Sequence, residues 1–456
     1  MIAKRWKGAQ QYFPTKIAVG ESPSGAPASN FKKQDVTRLL ADELLLSILT
    51  QVSDAPSLAV AAQVCRRWNR VLDDEQVWRE LCTYRSFAPL IRREATQNSF
   101  FLVSFEDLLV PRVPRLTVVC RHWKRVYRDN HITNVNWKKG LCRVRTVRDV
   151  DGGEGDLPMQ FDDSWVVSVA MGEAGKVWDM ETGKCRLRLS GHDGTISAVK
   201  FDRKWVVTGG IDATLKIWDA ATGTCVRTLV GHLGEIVAVQ HSNETIVSGS
   251  EDTSIRIWEM ETGECQQILE GHSGAVCSLH FDDEVVISGS ADSYIKIWTR
   301  TRGHPTSTQP QVPQEHLPPP RTLAGHTGPV FCLQVSSEYI CSGSEDAKIK
   351  LWSRGTGDCV RTLEGHTAAV ICLQFDDVKV VSGGSDRFIK VWDLSTGHCL
   401  YSLMQHTATV WNLKFSTTRL TTSSFDRSLL VWDFAARDEE TVPGNGNGDS
   451  DVELED

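Results

Sequence analysis

The chain has 456 residues, 41% of them hydrophobic and 24% charged, with a formal net charge of -8. That length accommodates two or three domains, and the acidic balance excludes general nucleic-acid binding, which needs a basic footprint. No apolar run reaches the roughly 18 residues of a membrane helix, and the start lacks the charged-then-apolar pattern of a secretory signal.

Residues 1–34 read as a disordered tail. ESPSGAPASN at 21–30 is too poor in apolar side chains to order itself. The first twenty residues carry Lys4, Arg5, Lys7 and Lys16 and no acid. A transit peptide also fits that pattern, and a solvated tail is the reading adopted.

Residues 35–82 change to a helical pattern. Leu40, Leu44, Ile48 and Val52 recur at steps of four, one helical stripe. Asp54 and Pro56 mark a turn and the next helix start. Leu58, Ala61, Val64, Cys65, Trp68 and Val71 form a second apolar set. Three short helices make a thin core, so a partner covering the exposed apolar face is expected. The order Leu40, Glu43-Leu44, Ile48-Leu49, Leu58, Val64-Cys65-Arg66, Trp68, Val71, Trp78 resembles an F-box. Its Cys-Arg-x-Trp step is the sharpest part. Leu40-Ala41 departs from the family's usual Leu-Pro start. The resemblance implies docking on a Skp-family adaptor, and through it on a cullin-RING ligase.

Residues 83–140 read as a helical connector. VCRHWKRVYRDN at 119–130 echoes VCRRWNRVLDD at 64–74, so a duplicated half F-box is one reading. The reading preferred is that Trp123, Lys124, Tyr127, Asn136, Trp137 and Gly140 resemble the stalk of F-box/WD-repeat proteins. The segment is rich in Lys and Arg, which suits an acidic partner or, as adopted, a solvated helix face.

From 141 to 434 the chain is strand-rich and repetitive. Trp178, Trp218, Trp258, Trp298, Trp352, Trp392 and Trp432 follow one another at 40 residues, except for one step of 54. His192, His232, His272, His326, His366 and His406 open the units. Asp212, Asp252, Asp292, Asp346, Asp386 and Asp426 each stand six residues before a tryptophan. Thr-Gly pairs after the tryptophans supply the positive φ of tight hairpins. Four short strands per unit cannot bury both faces alone and must stack. The 13 cysteines are an odd number, and Cys185, Cys225, Cys265, Cys359 and Cys399 recur at one repeat position; they read as copied packing positions rather than a disulfide framework. The Gly-His and Trp-Asp pattern resembles WD-repeat propeller blades. The resemblance implies an all-β seven-bladed propeller behind a small all-α F-box and stalk. Blade one lacks the Gly-His pair and has Gly172 where the others have aspartate, and the strand at 141–148 is expected to complete blade seven. The extra residues of blade four form a Pro-rich loop at 303–320. Residues 435–456 read as an acidic disordered tail.

His232, Ser248 and Asp252 have the composition of a hydrolase triad. Its repetition in successive blades points instead to a hydrogen-bonded structural network. No nucleophile motif, phosphate loop, Cys-His metal spacing or cofactor motif is present, so no enzyme activity, cofactor or metal is expected.

The resemblance implies that a protein substrate docks on the upper face of the propeller. Family members that read phosphorylated ligands place arginines there. Here the positions after the Gly-His loops are Ser197, Val237, Cys277, Phe331, Ile371 and Trp411. Those before the aspartates are Ile211, Glu251, Ala291, Glu345, Ser385 and Phe425, and Glu235 adds another acid. Substrate-face candidates are therefore Glu235, Glu251, Phe331, Glu345, Ile371, Trp411 and Phe425. They suit an unphosphorylated ligand with apolar and basic side chains; the alternative is that the aromatics fill the central channel. The implied function is substrate recognition for an SCF-type ubiquitin ligase, in the cytoplasm or nucleus, without nucleic acid or membrane. A non-ligase assembly scaffold is the competing reading.

Overall fold

A computed structural model describes residues 49, 71–72, 74–85, 87, 123–147, 157–161, 165–169, 174–179, 182, 184–300 and 318–435. The expected N-terminal tail, most of the F-box, most of the Pro-rich loop and nearly all of the acidic tail lie outside the described residues. The chain divides into two compact units, one of Met1–Ser86 with Pro114–Lys124 and one of Phe87–Val113 with Arg125–Asp456.

In the first unit, helix α1 spans Glu75–Tyr84. The Asp74 carboxylate caps it by accepting the Gln76 N–H at 2.8 Å. Val77, Leu81 and Cys82 form its buried face, and Leu49, Val71 and Leu72 are buried as well. The Trp78 indole N–H donates to the Leu72 carbonyl at 2.7 Å.

Helix α2 spans Trp123–Lys139. The Glu75 carboxylate accepts its first N–H, the charge that a helix N-terminus favours. Val126, Asn130, Thr133 and Trp137 are buried at steps of three and four. Gly140, at φ 71°, ends the helix in a left-handed turn that only glycine adopts freely. A Cβ there would also stand 3.0 Å from the Tyr401 ring.

The second unit holds seven four-stranded antiparallel sheets, each one blade. The innermost strands of blades two to seven begin at Ile196, Ile236, Val276, Val330, Val370 and Val410 and neighbour one another in turn. Leu157–Phe161 of blade one lies against both blade two and blade seven, which closes the ring. Blade seven takes its fourth strand from far upstream: Arg143–Val147 pairs with Leu429–Asp433. Radial repetition of this kind leaves only short, protected sheet edges.

Glycine makes the seam between blades tight. A Cβ on Gly343 of blade five would lie 2.6 Å from Val370 Cγ1 of blade six. The cysteines at the repeated position correct the sequence reading. Cys185, Cys225, Cys359 and Cys399 are exposed rather than packed. They open the outermost strands, and each faces a blade tryptophan across a bulge, as Cys225 faces Trp218. The bulge turns the thiol toward its own backbone, where Cys225 Sγ meets the Arg227 carbonyl at 3.4 Å.

Candidate functional site

Each complete blade is held by one polar network. In blade three the His232 ring meets Asp252 Oδ2 at 2.8 Å through Nδ1 and Ser248 Oγ at 2.8 Å through Nε2. The Trp258 indole N–H donates to the same Ser248 oxygen at 2.8 Å, and Asp252 Oδ2 also accepts the Leu233 N–H at 2.9 Å. His192, Asp212 and Trp218 repeat this around Thr208. His272, Asp292 and Trp298 do so around Ser288. His326, Asp346 and Trp352 meet at Ser342. His366, Asp386 and Trp392 meet at Ser382, and His406, Asp426 and Trp432 at Thr422. Blade one keeps only the end of the chain, Trp178 donating to Ser168 at 2.7 Å.

These groups are spent on each other. Ser248 is fully buried, and its oxygen is engaged by both an imidazole and an indole. Burial pushes the Asp252 carboxyl up, but hydrogen bonds from Ser254, the Leu233 N–H and His232 outweigh it and hold it at about 2. Burial pushes the His232 imidazole below its ordinary value, against the pull of Asp252. A neutral imidazole that donates from Nδ1 and accepts at Nε2 satisfies every partner.

The open site is the mouth of the central channel. In every inner hairpin the register slips by one residue, so that Ile236 faces Ser250 while Ala238 faces Gly249. The residue skipped is Val237. The same slip skips Ser197, Cys277, Phe331, Ile371 and Trp411 in the other blades. A β-bulge re-aims the side chain it frees, and all six line one cavity of about 700 Å³.

A second ring stands just outside this throat, built from the residue before each blade aspartate. The Glu251 N–H donates to the Glu235 carbonyl at 2.9 Å and the Phe425 N–H to the Thr409 carbonyl at 3.0 Å, so each rim residue is tied to its own blade's Gly-His or Gln-His loop. Glu235 and Phe425 line the cavity, whereas Glu251 and Glu345 stand exposed on the rim. Trp411 and Phe425 meet at 4.9 Å between ring centroids and remain 36% and 45% exposed. Phe331, Ile371 and Trp411 therefore line the channel without filling it.

Residue-by-residue reading missed three members of this face. Leu233 directly follows a Gly-His pair and is 90% exposed; the other blades have Asp193, Ser273, Thr327, Thr367 or Thr407 there, so the odd residue was visible in the repeat alignment. Arg387 and Arg427 follow their blade aspartates at φ 71° and 66° and are exposed. They are cations one position beyond the blade aspartates, next to the positions named above, none of which is basic. Among the described residues, no lysine or arginine lines the cavity itself.

The F-box candidates divide by placement. Leu49 and Val71 are buried within the chain and Trp78 is half-buried with its indole bonded to Leu72. Leu49 and Val71 are thus packed within the unit, and Trp78 in part. Leu40, Leu44, Ile48, Leu58, Val64, Cys65 and Trp68 lie outside the described residues. At the other end of the connector, the Asn136 side-chain amide donates to the Phe434 carbonyl at 3.0 Å and the Trp137 indole to the Thr417 carbonyl at 2.8 Å.

Comparison with known proteins agrees with this architecture. An F-box-like model matches residues 42–84, and the WD domain, G-beta repeat model matches 183–219, 223–259, 263–299, 317–353, 357–393 and 397–433. The chain is 32% identical over 164 residues to F-box/WD repeat-containing protein 7 of Drosophila melanogaster, covering 36% of this chain and 11% of that protein. It is 30% identical over 160 residues to a protein of Arthroderma otae described as a probable E3 ubiquitin ligase complex SCF subunit, sconB, covering 33% of this chain and 23% of the relative. The chain thus spans about a quarter or less of the length of these curated relatives. Among solved structures, the computationally designed Ika8 protein is 35% identical with a TM-score of 0.53, covering 63% of this chain and 86% of that one. The WD40 β-propeller domain of Doa1, 23% identical with a TM-score of 0.53 over 64% of this chain and 97% of that one, shares the fold. With an F-box-like segment ahead of a seven-bladed ring of WD repeats, the chain belongs to the F-box/WD-repeat proteins.

Proposed function

We propose that this chain is the substrate-recognition subunit of an SCF-type ubiquitin ligase. In this reading the F-box docks on a Skp-family adaptor through Leu40, Leu44, Ile48, Leu58, Val64 and Trp68, and through it joins a cullin-RING assembly. The upper face of the propeller binds the protein to be ubiquitinated. The chain carries out no covalent step itself: holding a substrate lysine close to the charged enzyme raises its effective concentration.

The observation that carries the proposal is the pairing, in one chain, of an F-box-like segment with a propeller whose channel mouth keeps an aromatic pair exposed. Single exposed aromatics are ordinary, but a contacting pair at a concave mouth is what a binding hot spot looks like. Relatives named as SCF subunits support the same reading. The reduced cytosol or nucleus is the proposed location, where the exposed free thiols Cys185, Cys225, Cys359 and Cys399 persist unpaired.

Co-purification with the Skp-family adaptor tests the proposal. The wild-type chain is expected to retain the adaptor and Trp68→Ala to lose it. If both bind equally poorly, the ligase reading fails and a non-ligase scaffold takes its place, a role that Ala41 in place of the usual proline favours.

A further inference from the structure

The channel mouth is electrically lopsided. On blade three Glu235 lines the cavity and Glu251 stands beside it on the rim. Burial pushes the Cys277 thiol in the neighbouring throat position up to about 11 against a backbone hydrogen bond at Ala291, and the charges of Asp292 and Glu251 add to the rise. Glu345 repeats the Glu251 position on blade five. Across the ring, blades six and seven present Arg387 and Arg427 on the tips of the corresponding turns.

Apolar surface lies between these charges. Trp411 and Phe425 sit in contact on the blade-seven side, and Leu233 stands 90% exposed on the blade-three side. The cavity behind them, about 700 Å³, has room for a large side chain.

Resting on the reading of this face as the substrate-binding one, we propose that it takes an unphosphorylated peptide segment laid across the mouth. A large apolar side chain enters the throat against Trp411 and Phe425. A lysine or arginine of the peptide lies on the Glu235 and Glu251 side, and a carboxylate lies on the Arg387 and Arg427 side. The apolar side chain supplies most of the affinity, because the aromatic pair is desolvated when it docks. The charges remain near water and therefore set orientation and choice of partner more than strength. A uniformly acidic peptide is turned away by Glu235 and Glu251, and a uniformly basic one by the two arginines.

The test is a selection of displayed random unphosphorylated short peptides on the full-length chain, followed by affinity measurement with the enriched sequences. The expected result is a shared aromatic or leucine with a basic residue on one side and an acidic residue on the other. Trp411→Ala and Phe425→Ala are each expected to weaken binding about tenfold or more, and Glu251→Lys to switch the preference at the basic position to acidic. All three side chains are partly or fully exposed, so unchanged melting curves are expected and keep the comparison valid. Failure to enrich any peptide, or enriched peptides that bind all three variants as well as wild type, overturns the inference. So does a tightening of about tenfold when phosphoserine replaces the acidic residue, if Arg387→Ala or Arg427→Ala abolishes it. Adaptor co-purification does not involve this mouth. A chain that binds the adaptor yet selects no such peptide loses only the inference, and one that selects the peptide yet binds no adaptor loses only the ligase reading.

Discussion

The indole of Trp137 lies on the ring of Phe434, 3.8 Å between centroids and 14° from parallel. Trp137 also meets Phe415 at 5.8 Å, and the Lys379 ammonium stands 4.7 Å from its ring. Helix α2 is thereby fastened to the blade that carries both the last WD-repeat strand and the strand from upstream of the ring.

Trp137→Ala removes this packing and the hydrogen bond to the Thr417 carbonyl together. Equilibrium denaturation with urea is expected to show a loss of about 3–5 kcal/mol. Trp137→Phe keeps most of the stack and loses less.

The seam between blades five and six makes a second case. Gly343→Ala drives a methyl to within 2.6 Å of Val370 Cγ1, and overpacking of this kind costs about 1–3 kcal/mol. Val370→Ala vacates part of that space. The double variant is expected to lose less stability than the two single changes added together, a non-additivity read from a double-mutant cycle.

Ser248→Ala tests the blade network. It leaves the Trp258 indole N–H and His232 Nε2 buried without their shared partner, at about 1–3 kcal/mol for each group stranded. Ser248→Thr is expected to lose far less, because Thr208 and Thr422 hold the same place in other blades. Melting temperatures of the two variants check this.

Stability is expected to fall as pH drops below neutrality. Burial holds His192, His232, His272, His326 and His406 below the ordinary histidine value of 6.5, and His241 and His280 likewise. Between each lowered value and 6.5 the unfolded chain binds more protons than the folded one, so stability rises with pH across that window and is lost as pH falls through it. The aspartates act lower. Asp212, Asp252 and Asp426, held at about 2, give up their contribution only as pH falls from about 4 toward 2. Melting curves between pH 7.5 and about 3 should show the histidine loss first.

The repeat of tryptophans makes the ring and its blade count legible in the sequence, because a unit that cannot bury its own faces has to stack. The same repeat separated structural positions from variable ones. His232, Ser248, Asp252 and Trp258 recur in kind from blade to blade, while Trp411 and Phe425 do not. What the repeat could not convey was depth. Cys225 looked like a packing residue because it recurs, yet it is exposed at the start of an outermost strand, where a bulge faces it to Trp218. Leu49, Val71 and Trp78 fit an F-box pattern, and that pattern does not say that Leu49 and Val71 are buried and Trp78 half-buried.

By itself the sequence determined the seven blades, the network that holds each one and the residues that differ between them. Hydrophobic period, turn residues and repeat length are local properties written along the chain. Only the tertiary structure decided which of the differing residues share a surface. The inner-strand bulges turn Val237, Phe331, Ile371 and Trp411 into one channel, and closure through Arg143–Val147 holds the ring that carries Glu251 on blade three and Arg427 on blade seven. Those residues are far apart in sequence and share a surface because the ring closes.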